Sequence, residues 1–315
     1  MIRTDAPGKV VLWGEYAVLD GAPALTMAVE HRARVQIAAS EQNWHLRARG
    51  FQAEDAICEL GELLNGAALP PVADIVANVL RVRPEVDWPA SAELSIDTRA
   101  LHVQNTKLGL GSSAAATVAV QAACAALTGD LPDLEHALDA HRALQHGRGS
   151  GLDVATSALG GYVRFQAGTA RRINVELPPH RFIWVGEAAA TVDHLARFEQ
   201  YRSGDDLSAL SDLGASAEAL FDEASLPRLA DYAERLQNLD HAAGLGIYSP
   251  PHARVSELAS AAHLVYKPCG AGGGDLGVVF AHSPDALSAF ENQVERAGFT
   301  VMQLELAVHG VQVST

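Results

Sequence analysis

Between Lys107 and Ala115 the chain reads Lys-Leu-Gly-Leu-Gly-Ser-Ser-Ala-Ala, and no other stretch restricts its own conformation as much. Gly109 and Gly111 permit a tight loop in which the backbone approaches a neighbour closely. The small residues from Ala114 onward favour a helix, so the loop runs straight into one. A helix start presents unpaired N–H groups and a partial positive charge. That arrangement suits a phosphate. Ser112 and Ser113 are able to cap the helix, to donate to a phosphate oxygen or to ligate Mg²⁺. An ordinary capped helix behind a glycine turn reads the same way, so this stretch alone leaves both readings open.

Three further stretches carry chemistry-bearing residues in small-residue surroundings. Ala6-Pro7-Gly8-Lys9 opens an apolar run that continues to Trp13, followed by Gly14-Glu15-Tyr16-Ala17-Val18-Leu19. A lysine at such a strand end is normally solvated. Gly149-Ser150-Gly151-Leu152-Asp153-Val154-Ala155 sets a carboxylate just after two glycines, where it reaches open space or caps a helix starting at Val154. Lys267-Pro268-Cys269-Gly270-Ala271-Gly272-Gly273-Gly274-Asp275 is longer than a hairpin turn needs. Its backbone N–H groups are suited to anions.

The chain has 315 residues, enough for two domains, and 48% of them are apolar. Its net charge of −15 argues against nucleic acid and anionic membrane as partners. A local cluster of Lys and Arg still leaves room for an anionic small molecule. Cys58, Cys124 and Cys269 form no CxxC pair and read as reduced thiols. With no charged-then-apolar segment at the start, the expected location is cytoplasmic. The small apolar run from Ala114 to Leu127 contains Gln121, is too short for a bilayer and reads as a buried helix.

Patterning predicts strands at Lys9–Trp13, His31–Ser40, Ala92–Thr98, Tyr162–Gln166, Arg181–Gly186, Leu264–Lys267, Gly277–His282 and Thr300–Val308. It predicts helices at Ala53–Leu64, Val72–Arg81, Leu134–Leu144 and Pro284–Ala297. Leu207–Leu239 reads as mostly helical, with breaks near Gly214 and Pro227. Strands and helices mix without strict alternation, which indicates the α+β class. The best boundary lies near Ala167–Pro179, giving domains 1–170 and 171–315.

Taken together, the stretches at Ala6–Leu19, Lys107–Ala115 and Lys267–Gly277 resemble the three signature motifs of the GHMP small-molecule kinases, in order and spacing. The resemblance implies a two-domain fold. The N-terminal domain is expected to be like ribosomal protein S5 domain 2 and the C-terminal domain ferredoxin-like, with the active site in the cleft between them. It implies ATP and Mg²⁺ as cofactors. Lys107, Gly109, Leu110, Gly111, Ser112, Ser113 and Ala114 would then bind ATP phosphates, with Ser113 on the metal. Lys9 and Asp153 would be catalytic, Asp153 as the base for the acceptor proton and Lys9 between it and the transferred phosphate. Glu15, Tyr16, Arg142, Ser150, Gly151, Lys267, Gly270, Ala271, Gly272 and Gly273 would contact substrate.

Within the family, Gly-Ser-Gly-x-Asp-Val-Ala at Gly149–Ala155 is similar to phosphomevalonate kinases. Mevalonate kinases usually carry Pro-Ser-Gly-x-Asp-Asn there and a Mg²⁺-binding glutamate eleven residues before the aspartate. That position is Arg142, which suits a phosphate and not a metal. Lys107, Arg148 and Lys267 are further phosphate candidates; each, like Arg142, reads equally as a solvated surface charge, and Arg148 reads more readily so. The implied partners are MgATP and mevalonate 5-phosphate; the resemblance leaves a homodimer open. Mevalonate or another small alcohol is the alternative acceptor. From a different class, a GHMP-like protein could bind a ligand without turnover. Two departures from the family pattern bear on the substrate. Ala189–Leu195 lacks the basic residue of a Ser-Thr-Lys/Arg segment, and Cys269 replaces a serine. His136, His141 and His146, five residues apart, do not share a helix face and are not expected to form a metal site.

Overall fold

Alternating burial along Ala33-Arg34-Val35-Gln36-Ile37 marks a strand with one face in a core and the other exposed. The computed structural model describes residues 1–50, 54–66, 68–103, 106–186 and 191–314, without the side chains of 191–193 and 195. In chain order the strands are β1 (Ile2–Trp13), β2 (Ala24–Ala39), β3 (Trp44–Arg49), β4 (Glu54–Cys58), β5 (Ala92–Asp97), β6 (His102–Val103), β7 (Thr106–Lys107), β8 (Tyr162–Gln166), β9 (Thr169–Ile173), β10 (His180–Trp184), β11 (Val265–Pro268), β12 (Leu276–Phe280), β13 (Thr300–Met302) and β14 (Gln312–Ser314). The helices are α1 (Leu60–Asn65), α2 (Pro71–Arg81), α3 (Ser112–Leu127), α4 (Leu134–Leu144), α5 (Leu152–Leu159), α6 (Thr191–Arg202), α7 (Ser208–Asp222), α8 (Leu226–Ala243), α9 (Pro250–Ala261) and α10 (Pro284–Arg296). The fold is α+β.

The chain forms two compact units. The first comprises Met1–Lys9, Met27–Val163 and Leu306–Thr315; the second comprises Val10–Thr26 and Arg164–Glu305. The contiguous division expected from the sequence, 1–170 and 171–315, differs from this. Its N-terminal part includes Val10–Thr26, which clusters with the second unit, and its C-terminal part includes Leu306–Thr315, which clusters with the first. The reason lies in long-range pairing, since β14 pairs antiparallel with β1 and so draws the chain end to the first unit.

In the first unit the sheet runs β14-β1-β2-β5-β3-β4. The β3–β5 pairing is parallel, whereas β2–β5 and β3–β4 are antiparallel. Val35, Ile37, Trp44, Leu46, Leu94 and Ile96 pack from the strands into one core with α2, α3 and α4. Helix α3 is buried from Ala114 to Ala125, as its all-round small apolar sequence requires. In the second unit β10, β11, β12, α10 and β13 follow in chain order, with helices between β10 and β11. The antiparallel order β11-β12-β10-β13 makes this a ferredoxin-like β-α-β-β-α-β unit. Ile183, Val279, Val255, Leu287, Phe290 and Val294 form its core.

Three expectations are corrected. The Ala53–Leu64 helix is instead β4, then α1, with Ala53 outside the described residues. Antiparallel pairing of Trp44–Ala48 with Glu54–Cys58 overrides the helical spacing. The strand at Thr300–Val308 stops at Met302, and the chain resumes pairing only through a Val29–Leu306 bridge and β14. Helix α7 runs through Gly214 without a break, and glycine there leaves room for Ala22, from which a Cβ would stand 3.3 Å. Pro227 lies in the first turn of α8, where its missing N–H costs nothing.

Candidate functional site

In the first unit the backbone of Lys9 is tied to the glycine loop: its N–H donates to the Leu110 carbonyl at 2.9 Å. Gly8 allows this approach, since a Cβ would stand 2.8 Å from that same carbonyl oxygen. The Lys9 ammonium donates to the Gly109 carbonyl at 3.4 Å. Its stem lies against Gly111, where a Cβ would meet Lys9 Cε at 3.1 Å. Gly111 has φ of +73° and is itself the residue that starts α3. Ser112 and Ser113 therefore occupy the first turn and do not cap it. The first intrahelical bond in this turn comes from Ala115 N–H, leaving the earlier amides of Ser112, Ser113 and Ala114 directed outward. A lysine ammonium beside the positive end of a helix dipole is an anion site in the making. Lys107 is exposed on β7.

Two left-handed glycines, Gly149 (φ +87°) and Gly151 (φ +86°), frame the start of α5. At Gly151 the left-handed φ favours glycine, and a Cβ would also press on the end of the Leu138 side chain at 2.7 Å. Helix α5 begins at Leu152 behind Gly151, so Asp153 lies within the first turn and not at a cap before Val154. Asp153 is half-buried and, among the described residues, accepts only the adjacent Val154 N–H at 3.0 Å, while Ser150 Oγ accepts Leu152 N–H at 3.3 Å. Arg142 is exposed on α4 and paired with Asp139 at 2.8 Å. His141 is buried in the same helix. Among the described residues, no group of three or more His, Cys, Asp and Glu is arranged to hold a metal ion.

In the second unit the expectation for Glu15 and Lys267 changes. Both were expected to contact substrate, yet Lys267 Nζ donates to Glu15 Oε1 at 2.6 Å and neither side chain is exposed. Each charge is spent on the other. The remaining Glu15 oxygen accepts the Tyr232 hydroxyl at 2.6 Å, and Tyr232 in turn accepts the Gly14 N–H at 2.7 Å. Burial and the Glu15 charge push the Tyr232 hydroxyl pKa well up, so it stays a neutral donor. Gly270 N–H also reaches Glu15, at 3.4 Å. The loop Gly270–Gly274 is further held by Tyr16 and His194, which both donate to the Ala271 carbonyl, and by His252, whose Nε2 donates to the Gly274 carbonyl at 2.9 Å.

Residues 74–161 match the family model described as "GHMP kinases N terminal domain". Those residues form a GHMP kinase N-terminal domain. The relatives of the chain include a phosphomevalonate kinase from Streptomyces sp. (strain CL190), 28% identical and aligned over 98% of each chain. A mevalonate kinase from Thermococcus gammatolerans is 27% identical over 99% of this chain and 98% of its own. Among solved structures, the Streptococcus pneumoniae phosphomevalonate kinase in complex with phosphomevalonate and AMPPNP superposes with a TM-score of 0.80 at 20% identity, covering 97% of this chain and all of that one. The last comparison speaks to the fold alone.

The residues missed by sequence reasoning are Tyr232, Asp240 and His252. Asp240 accepts the amides of Gly246, Ile247 and Tyr248 at 2.6–2.9 Å, and Ile247 carries the Gly273 N–H on its carbonyl. All three lie on long helices or at their ends, with no motif to mark them. Of the segment Ala189–Leu195, residues 189–190 and the side chains of 191–193 and 195 lie outside the described residues. No helix among the described residues is long and apolar enough to cross a membrane.

Proposed function

We propose that this chain is a GHMP kinase that transfers the terminal phosphoryl group of ATP to the phosphate of mevalonate 5-phosphate, giving the 5-diphosphate and ADP. One observation carries the phosphotransfer reading: the Lys9 ammonium lies 3.4 Å from the Gly109 carbonyl, with its stem over Gly111, at the open start of α3. Phosphoryl transfer is mostly positioning and charge stabilisation, and this arrangement supplies both. The amides of Ser112, Ser113 and Ala114 and the Lys9 ammonium take phosphate oxygens. Ser113, a half-buried hydroxyl in the first helical turn, fits Mg²⁺ as a single protein ligand, the usual share for an ion that keeps its waters. When bound, the metal neutralises charge on the phosphates. Asp153 takes the proton from an acceptor oxygen that still carries one. The loop Gly270–Gly273, whose Gly273 N–H is taken by the Ile247 carbonyl, binds phosphate oxygens through its remaining backbone N–H groups.

The acceptor reading rests on the phosphomevalonate kinase relative that aligns over 98% of both chains, and on the Gly-Ser-Gly-x-Asp-Val-Ala segment. Arg142 supports it: its pair with Asp139 is exposed and opens at little cost, freeing the guanidinium for a substrate phosphate. Mevalonate itself is the second reading, favoured by the mevalonate kinase relatives of nearly equal identity. The test is ADP release from MgATP with purified protein against mevalonate 5-phosphate, mevalonate and a panel of small alcohols. Turnover with mevalonate 5-phosphate, and at least tenfold lower kcat/KM with mevalonate, is the expected result. Preference for mevalonate overturns the acceptor assignment and keeps the phosphotransfer chemistry. Silence with every acceptor, with ATP still binding, moves the reading to a non-catalytic ligand-binding protein.

A further inference from the structure

The loop from Gly270 to Gly274 is built from peptides that flip readily, since Gly270, Gly272 and Gly273 all have φ near +70°. One carbonyl in it is held by two side chains. Ala271 O accepts the Tyr16 hydroxyl at 2.6 Å and His194 Nδ1 at 2.9 Å. A carbonyl only accepts, so His194 carries a proton on Nδ1. The ring of His194 fills the space beside Gly273, where a Cβ would stand 2.2 Å from Cε1. Tyr16 holds its place at φ of +59°, a strained backbone for a non-glycine residue, and its ring packs on Phe198 at 5.0 Å between centroids. Burial pushes its hydroxyl pKa up, so it remains a donor at any ordinary pH.

A peptide group is planar and trans, so its N–H points opposite to its C=O. Fixing the Ala271 carbonyl toward Tyr16 and His194 therefore aims the Gly272 N–H the other way. Among the described residues, the Gly272 amide meets no hydrogen-bond acceptor. The neighbouring Gly273 N–H is used on the Ile247 carbonyl at 2.9 Å. We infer that Tyr16 and His194 are positioning residues that lock the Ala271–Gly272 peptide so that the Gly272 N–H is presented to an anionic, phosphate-bearing ligand. The identity of that ligand rests on the phosphotransfer reading; the locking of the peptide does not.

The test uses the full chain and four variants: Tyr16→Phe, His194→Ala, His194→Asn and His194→Gln. Asparagine returns an N–H donor at the position of Nδ1, whereas glutamine offers one at the position of Nε2. The probe is inorganic pyrophosphate, titrated by calorimetry, alongside kcat/KM with MgATP and whichever acceptor turns over. The expected result is that Tyr16→Phe and His194→Ala each weaken pyrophosphate binding by about three- to tenfold, the range set by one lost hydrogen bond. His194→Asn returns to within about twofold of wild type by the same reckoning, and His194→Gln does not. kcat/KM follows the same order, while melting temperature does not. An Asn variant as weak as the Ala variant, unchanged affinity in Tyr16→Phe, or a wild-type protein that fails to bind pyrophosphate overturns the inference. If His194→Ala does not fold, Tyr16→Phe decides, since it removes only the hydroxyl. A wild-type protein that binds pyrophosphate but turns over no acceptor sinks the functional reading, and the affinities alone then judge the loop.

Discussion

Lys267 Nζ lies 2.6 Å from Glu15 Oε1, and both side chains are closed to solvent. The two residues are 252 positions apart in sequence, so the pair joins the segment after β1 to the end of β11 within the second unit. A buried pair is weak evidence of net stabilisation, because both ions lose water. Breaking it is another matter. Lys267→Met leaves the Glu15 carboxylate buried without its cation and is expected to cost about 3–5 kcal/mol in urea unfolding. Adding Glu15→Gln removes the stranded charge while keeping an acceptor for Tyr232, so the double variant should be more stable than Lys267→Met alone. Simple addition of the two losses would count against this account of the pair.

Lys9→Met and Asp153→Asn test the two proposed catalytic groups. Each is expected to lower kcat by about 10²–10⁴-fold. Neither side chain is in the core, and neither makes a long-range bond other than the 3.4 Å contact of Lys9 to Gly109. Unfolding midpoints should therefore stay near wild type. Turnover within a few-fold of wild type in both variants removes them from the mechanism.

Gly111→Ala probes the loop itself. Alanine at φ of +73° is disfavoured by about 1–2 kcal/mol, and its Cβ would stand 3.1 Å from Lys9 Cε. The Lys9 stem has to give way by a few tenths of an ångström beside the start of α3. The expected outcome is a modest loss of stability and a larger loss of ATP affinity, read by isothermal titration with MgATP. Normal ATP affinity in a folded Gly111→Ala protein would argue that Lys9 does not serve the phosphates.

Much of this was legible in the chain because it is local. The glycine–serine loop before α3, the buried small-residue helix and the limits of α4 follow from adjacent residues and their period. What was hidden depends on remote partners. Nothing near Glu15 announces that Lys267 and Tyr232, more than two hundred positions away, close its carboxylate off from solvent. The motif lysine and glutamate read as ligands from sequence, and in the fold they pair with each other. The β4 segment failed for the same reason: its apolar spacing suited a helix, and only pairing with β3 makes it a strand. His194 lay in a segment noted for what it lacked, and its use on Ala271 emerges only once the loop is folded.

His252 gives a pH test. It is buried, with Nε2 donating to the Gly274 carbonyl at 2.9 Å and Nδ1 accepting from the Tyr266 hydroxyl at 2.7 Å. Burial, reinforced by the Lys267 charge, lowers its pKa from 6.5 to about 4, against a partly opposing bond to Gly274. The unfolded chain thus binds a proton that the folded chain refuses between those two values. Stability is complete above pH 6.5 and falls as the pH drops toward 4, by at most about 1.4 kcal/mol per pH unit from this group. His252→Gln removes the titration, so its stability should change less with pH across this window than that of wild type, even if it is lower throughout. Urea unfolding at half-unit steps from pH 4 to 7 reads the difference in slope. Parallel curves for the two proteins would mean that His252 is not the group whose protonation loosens this loop in acid.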